Sequence, residues 1–271
     1  MNRDLNRRYL DTAEEIASQI GAMPQNQAVV VIGSVAEQTA DRHSDIDLLV
    51  LYREEPEAEN IASALSQPSV GKYRFDADHF HVHLDREDPH ITLLFTPAAR
   101  IQGFVENYPD IDFNDYAELS SYIVNGRLLS GDEVEFTTWQ ITCATIPMKM
   151  KVQTVKHIMG SLYFWFQRTE LLTLAHRGDW IMFNRTISEC VVTVLRVIYL
   201  LNDKIMIKPK RARLVLDQCK LKPVEIARRL EDLYIHRNSL EDAITKVEQG
   251  REILSDLAAL ISEYLPGAVR R

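Results

Sequence analysis

The stretch from Val29 to Tyr52, VVVIGSVAEQTADRHSDIDLLVLY, constrains the fold more than any other part of the chain. Ala28 to Ile32 and Ile46 to Tyr52 are continuous apolar runs rich in β-branched residues, which reads as two strands buried on both faces. The residues between them, 33–45, leave room for a helical turn or two. Gly33 closes the first run and lets the chain turn sharply; with no side chain, it leaves the backbone open to an approaching phosphate. A helical turn beginning at Ser34 points its N–H groups and hydroxyl at that phosphate. Asp45 and Asp47 stand two apart at the start of the second strand, so both carboxylates leave the same face. Their repulsion is unfavourable unless a cation sits between them, and Mg²⁺, a hard ion taking one or two carboxylates and phosphate oxygens, fits that pair. The plain alternative is a Gly-Ser turn followed by acidic residues facing water, but aspartates are depleted in strands and two of them flank Ile46. A dinucleotide site of the Rossmann type needs G-x-G-x-x-G, which does not follow Ile32.

Around this pair the chain reads as a mixed first lobe. Leu5, Tyr9, Ala13, Ile16 and Ile20 recur at helical spacing, while residues 54–68 read as an acidic loop and a short helix. From Lys72 the pattern alternates, with Phe80, Val82 and Leu84 on one face and His79, His81, His83 and Asp85 on the other. A turn over Arg86 to Pro89 returns Ile91 to Phe95 as the partner strand of a hairpin, after which Pro97 and Ala98 open a short helix. Asn125-Gly126 marks a tight turn before a last strand, Arg127 to Leu129. Beyond Pro147 helical spacing takes over: Ile187, Val191, Leu195 and Ile198 form one apolar stripe, and Ile244, Val247, Leu254, Leu257 and Ile261 another. The fold class is therefore α+β, a small mixed-sheet lobe over 1–140 followed by an all-helical bundle over 141–271.

Charge divides along the same line. Residues 1–140 hold 10 Lys and Arg against 25 Asp and Glu, whereas residues 141–271 hold 21 against 14. An acidic lobe that holds a cation and a basic lobe that receives an anion suit a metal–triphosphate ligand, although unlike lobes also simply attract. The net charge of −8 disfavours a nucleic-acid partner. Cys143, Cys190 and Cys219 show no metal-ligand spacing and read as reduced core residues of a cytoplasmic protein. No 18-residue apolar run exists, and the N-terminus lacks an apolar leader segment, so neither membrane insertion nor secretion is expected.

A hydrophobic strand, Gly33-Ser34, a ten-residue gap and then SDIDLLV resemble the signature of the DNA polymerase beta-like nucleotidyltransferases. The short first lobe with a helical second one is similar to the kanamycin-, lincosamide- and streptomycin-type antibiotic enzymes, and NGRLLSGDE (Asn125 to Glu133) resembles the segment that closes their catalytic lobe. The resemblance implies a Mg²⁺-dependent enzyme, with two ions, that moves a nucleoside monophosphate, AMP from ATP, to a hydroxyl of a small molecule or protein. It implies that Asp45 and Asp47 are catalytic and bind the metal, and that Gly33 and Ser34 hold the triphosphate tail. A third carboxylate ordinarily comes from the hairpin that follows. HITLLF carries none, so Asp85 and then His83, a base near neutral pH, are the substitutes the sequence offers. The alternatives are a nucleotide-binding regulatory protein that has lost turnover with its third acid, or a toxin–antitoxin-type component. A homodimer is compatible with each.

Other features are weaker. The alternating His79, His81 and His83 suit a transition metal only with a fourth ligand that spacing does not place, and read more simply as a polar sheet face lining a cleft. Arg229 and His236 match loosely the Arg and His pattern of HEPN ribonucleases, a pair that is common on charged helices. In the helical lobe, KPKRAR (Lys208 to Arg213, with Lys210 at its centre) and Arg185 are the cations that could reach a phosphate, against the plainer reading of solvated charge. Tyr163, Trp165 and Trp180 read as packing residues.

Overall fold

The computed structural model describes residues 3–67, 70–74, 79–84, 89–108, 113–206, 208–235 and 237–268, with backbone only for 72–74 and 114–116. The chain separates into two compact units, Met1–Thr145 and Ile146–Arg271.

The first unit runs α1 (Arg3–Gly21), β1 (Asn26–Ile32), α2 (Gly33–Ala36), β2 (Ile46–Tyr52), α3 (Ala58–Ala64), β3 (Gly71–Arg74), β4 (Phe80–Leu84), β5 (Ile91–Pro97), α4 (Ala98–Glu106), α5 (Phe113–Val124), β6 (Arg127–Ser130) and α6 (Glu133–Cys143). Its six strands form one sheet in the order β3-β4-β5-β2-β1-β6. Only β2 and β5 pair in parallel; the other neighbours are antiparallel. The two apolar runs of the sequence are thus β1 and β2, and α2 is the single turn that the short connection allows.

Period-two alternation decides which side chains face which layer. Val29 and Val31 of β1, Leu48 and Val50 of β2, Leu93 and Phe95 of β5, and Phe80 and Val82 of β4 lie on one face, in a core shared with Tyr9, Ala13, Ile16 and Ile20 of α1 and Ile61 of α3. Phe80 and Phe95 stack there with ring centroids 4.6 Å apart. Each large apolar side chain so buried contributes about 2 kcal/mol, which is why the i, i+3, i+4 spacing of α1 fixes the helix to the sheet. The opposite face carries Val30, Leu49, Leu51 and Leu94, all buried, and Asp47 and Thr92 towards one end. The chain leaving α5 packs onto this second face: a methyl group at Gly126 would lie 2.6 Å from Val30 Cγ1 and 2.1 Å from the Tyr122 carbonyl oxygen. Asn125-Gly126 is therefore a place of close approach as well as the entry to β6. Gln140 of α6 pins it by donating to the carbonyls of Ile123 and Gly126, both at 3.0 Å. α6 itself starts at Asp132, whose carboxylate caps the Val134 and Glu135 N–H groups.

The second unit is helical: α7 (Met148–Gln167), α8 (Glu170–His176), α9 (Trp180–Leu201), α10 (Ala212–Gln218), α11 (Ile226–Tyr234) and α12 (Leu240–Tyr264), followed by one 3₁₀ turn (Pro266–Ala268). Ile187, Leu195 and Ile198 of α9 are buried as their spacing predicts, and so are Val247, Leu254, Leu257 and Ile261 of α12. Ile244 departs from the stripe and is 43% exposed, because Ala243, Val247 and Gly250 set the buried face of that helix. Gly250 lets Phe166 of α7 lie directly against α12, where a methyl would come within 2.1 Å of the ring. The three cysteines are free and buried, and burial pushes the Cys143 thiol up to about 11 and that of Cys190 to about 12. Among the described residues, no helix is long and apolar enough to cross a membrane.

Candidate functional site

Gly33 leaves β1 with φ +65°, the left-handed conformation that L side chains rarely adopt. A Cβ built there would lie 3.2 Å from Asp47 Oδ2, so the turn and the carboxylate are immediate neighbours. Strand register explains the meeting, since Ile32, the residue before the glycine, is the β1 partner of Asp47. Gly33 is exposed and Ser34 half-buried. The turn is closed by Glu37 N–H donating to the Gly33 carbonyl at 3.0 Å and Thr39 N–H to that of Ser34 at 2.8 Å.

The second half of the connection delivers the aspartates. Asp41 accepts from the His43 N–H at 2.9 Å and from the Ser44 hydroxyl at 3.3 Å, while its own N–H donates to Ser44 Oγ at 2.9 Å. This tight turn feeds Asp45 into β2, which is anchored at its start by Ile46 N–H donating to the His90 carbonyl at 2.8 Å. Ile46 is fully buried in the first-face core, and Asp45 and Asp47 on either side of it are half-buried. Two hard carboxylates beside an open glycine turn fit a Mg²⁺ ion whose shell is completed by water and phosphate oxygens. Among the described residues, no cluster of three or more His, Cys, Asp or Glu side chains is arranged to hold a metal unaided.

The row through Asp47 continues across the sheet. Thr92 of β5 is its parallel partner, and His83 of β4 is the partner of Thr92. The His83 ring and the Thr92 hydroxyl lie 3.2 Å apart. His83 thus stands on the same row as Asp47 but two strands away, roughly 10 Å at the usual strand spacing. Asp85 lies outside the described residues, as does His236. His79, just before β4, is buried and meets the Arg100 guanidinium of α4 at 2.7 Å, whereas His81 is half-buried and His83 exposed. The three histidines therefore have three different environments.

One residue that sequence reading does not single out, half-buried Tyr122 of α5, lies within electrostatic reach of Asp47 and Arg100. Burial first, then Glu118 and Asp47, push that phenol up to about 12. Helical spacing shows which side of α5 is apolar, but nothing local in the sequence shows that this helix ends against Val30.

Arg185 and Lys210 belong to the second unit. Arg185 pairs with Glu189 one turn on at 2.8 Å, and Lys210 is exposed. Arg229 pairs with Asp256 at 2.6 Å, which gives it a structural role in joining α11 to α12. Trp180 packs edge-on against Phe183, and Trp165 against Phe164. A cavity of about 480 Å³ in this unit is lined by Lys156, Gly160, Tyr163, Phe164, Arg168 and Ile261 among others. Its lining is apolar, aromatic and cationic, with no carboxylate among those residues.

The Gly33→Ala variant should combine two penalties: about 1–2 kcal/mol for a left-handed non-glycine residue, and displacement of the Asp47 carboxylate by the new methyl. Thermal melting should register the first, and an approximately tenfold weaker Mg²⁺–nucleotide affinity in calorimetric titration the second.

Residues 10–100 match the family model described as nucleotidyltransferase domain. The matched segment contains Gly33, Ser34, Asp45, Asp47, Thr92 and Arg100, and ends before α5. No curated protein matches the chain significantly. Among solved structures, a nucleotidyltransferase-like protein from Exiguobacterium sibiricum 255-15 is similar over 94% of this chain and 78% of that one, with 13% identity and a TM-score of 0.48. A toxin–antitoxin crystal structure with AMP-PNP is similar over 48% of this chain and 82% of that one, with 16% identity and a TM-score of 0.26. Both likenesses are too distant to carry function across.

Proposed function

We propose that this protein is a cytoplasmic, Mg²⁺-dependent nucleotidyltransferase that moves a nucleoside monophosphate, AMP from ATP, to a hydroxyl of a small molecule or a protein. The observation that carries the reading is the juxtaposition of Asp47 with the left-handed turn at Gly33, 3.2 Å from a built Cβ, with half-buried Asp45 immediately before β2. Asp45 and Asp47 hold the cation, and the bare Cα of Gly33 admits the triphosphate. Ser34, half-exposed at the start of the turn, supplies a hydroxyl to its tail. Mg²⁺, when bound, neutralises charge on the α-phosphate and orients the incoming oxygen. The acceptor oxygen then forms a bond to the α-phosphorus while the bond to pyrophosphate breaks.

The match of residues 10–100 to the nucleotidyltransferase domain supports this reading. Thr92, standing where a third carboxylate would adjoin Asp47, favours a second one: a regulatory protein that binds the nucleotide without turning it over. Titration of the full chain with a non-hydrolysable ATP analogue is expected to show binding that requires Mg²⁺. Binding that is absent, or indifferent to Mg²⁺, sinks both readings, and release of pyrophosphate from ATP separates the first from the second.

A further inference from the structure

The cavity of the helical unit lies between two antiparallel helices that meet on either side of it. Near the end of α7, Phe166 lies against Gly250 in the middle of α12; near its start, Val152 faces Gly267, just beyond α12. Arg251 secures the first contact, its Nε donating to the Phe166 carbonyl at 2.7 Å. Between these contacts the helices stand apart. Lys156, Gly160, Tyr163 and Gln167 follow one another down one side of α7 and line a space of about 480 Å³, walled from α12 by Ala258 and Ile261. That volume falls in the range of small-molecule sites. A methyl group at Gly160 would meet nothing within 4 Å, and this glycine is not among those with positive φ. Neither close packing nor backbone conformation therefore requires it, although glycine weakens a helix interior relative to alanine. What it preserves is open space beside apolar and aromatic walls, which lack packing partners until something fills the gap.

Charge selects the head group of the occupant. No Asp or Glu lines the space, whereas Lys156 and Arg168 do, and both are exposed. Among the described residues, neither is paired with a carboxylate. Arg168 lies over the Phe164 ring, 5.1 Å from its centroid, while Lys156 stands one turn before Gly160, next to the open space. We propose that this cavity binds a hydrophobic carboxylic acid, with its apolar body beside Gly160 and Tyr163 and its carboxylate at Lys156. The body supplies the packing that the walls lack, and the carboxylate gives the ammonium a charge-assisted hydrogen bond. A neutral molecule of the same shape fills the gap without that bond. The site belongs to the helical unit and does not depend on the nucleotidyl-transfer reading.

Calorimetric titration of the full chain with octanoate, and with octanol as its neutral counterpart, tests the assignment. Octanoate should bind saturably, one molecule per chain, and octanol about tenfold more weakly. Gly160→Leu places its side chain in the open space, so it should melt no lower than the parent and bind octanoate at least about thirtyfold more weakly. Lys156→Gln, at an exposed position, should lower octanoate affinity about tenfold and leave octanol affinity within about twofold of the parent. The proposal is overturned if octanoate does not saturate, or if octanol binds the parent as tightly. It is also overturned if Gly160→Leu folds and binds octanoate as the parent does, or if Lys156→Gln weakens both probes alike or neither. Should Gly160→Leu fail to fold, the contrast between the two probes in Lys156→Gln still decides.

Discussion

The Asp47→Asn variant is expected to fold normally and to lose Mg²⁺-dependent nucleotide binding altogether. Asparagine matches aspartate in shape, so the half-buried site beside Gly33 and Thr92 keeps its packing. What it loses is one of two hard anionic donors, and a single carboxylate with neutral neighbours holds Mg²⁺ poorly. The neutral amide also removes repulsion against Asp45, so the nucleotide-free variant should melt no lower than the parent. The difference appears on adding ligand. At a concentration of about 100 Kd a ligand stabilises the folded state by about 2.7 kcal/mol, which should raise the melting temperature of the parent by several degrees. The variant should show no such rise with the ATP analogue and Mg²⁺, and turnover should fall by three orders of magnitude or more. A variant that melts as the parent does, yet still gains stability from Mg²⁺ and nucleotide, would discard Asp47 as a metal ligand.

Gly126→Ala should produce the largest loss of stability. Its methyl would lie 2.1 Å from the Tyr122 carbonyl oxygen and 2.6 Å from Val30 Cγ1. Neither neighbour can give way cheaply, because one is helix backbone and the other a fully buried side chain of a central strand. Overpacking ordinarily costs 1–3 kcal/mol, and contact with backbone puts this substitution at about 3 kcal/mol, a drop in melting temperature of about 10 °C for a unit of this size. The relief open to the chain is to lift the end of α5 off the sheet beside Val30, two residues along β1 from Ile32, the partner of Asp47. Thermal unfolding and pyrophosphate release should therefore suffer together in this variant, in contrast to Asp47→Asn, where only ligand-dependent quantities change.

The parts of the candidate site that are contiguous in the chain were the most legible. A buried run ending at Gly33 predicts a sharp turn between two buried strands, and the chain makes that turn with φ +65° at Gly33, while Asp45 and Asp47 flank buried Ile46 at the start of the second strand. The alternation at 79–84 likewise predicts the antiparallel pairing of β4 with β5. What escaped was every contact made by a helix arriving from elsewhere. A search for a third acid confined to the hairpin finds Asp85 and His83, because strand register is the only long-range relation that periodicity encodes. Tyr122, within electrostatic reach of Asp47, lies in a helix whose amphipathic pattern reports burial but not the identity of what it covers. Gly126 reads as a turn residue for the same reason: the sequence holds the glycine but not the valine side chain that makes it necessary. Ile244 shows the limit in the helical unit: the rest of its stripe is buried, but the buried face also takes in Gly250, which yields space to Phe166 and which apolar spacing cannot mark, and it leaves Ile244 outside.

Because β6 adds to the outer side of β1, pairing Leu128 with Val30, the sheet cannot be finished until nearly the whole first unit has left the ribosome. The aspartate pair and its glycine turn can form early, from neighbouring segments whose closure costs little entropy. α5 is tethered between that early core and the last strand, whose pairing with β1 closes the longest loop of the sheet. A chain ended before β6 would thus hold the aspartate pair and its glycine turn on a sheet whose outer edge is open, with β1 lacking the partner that closes it.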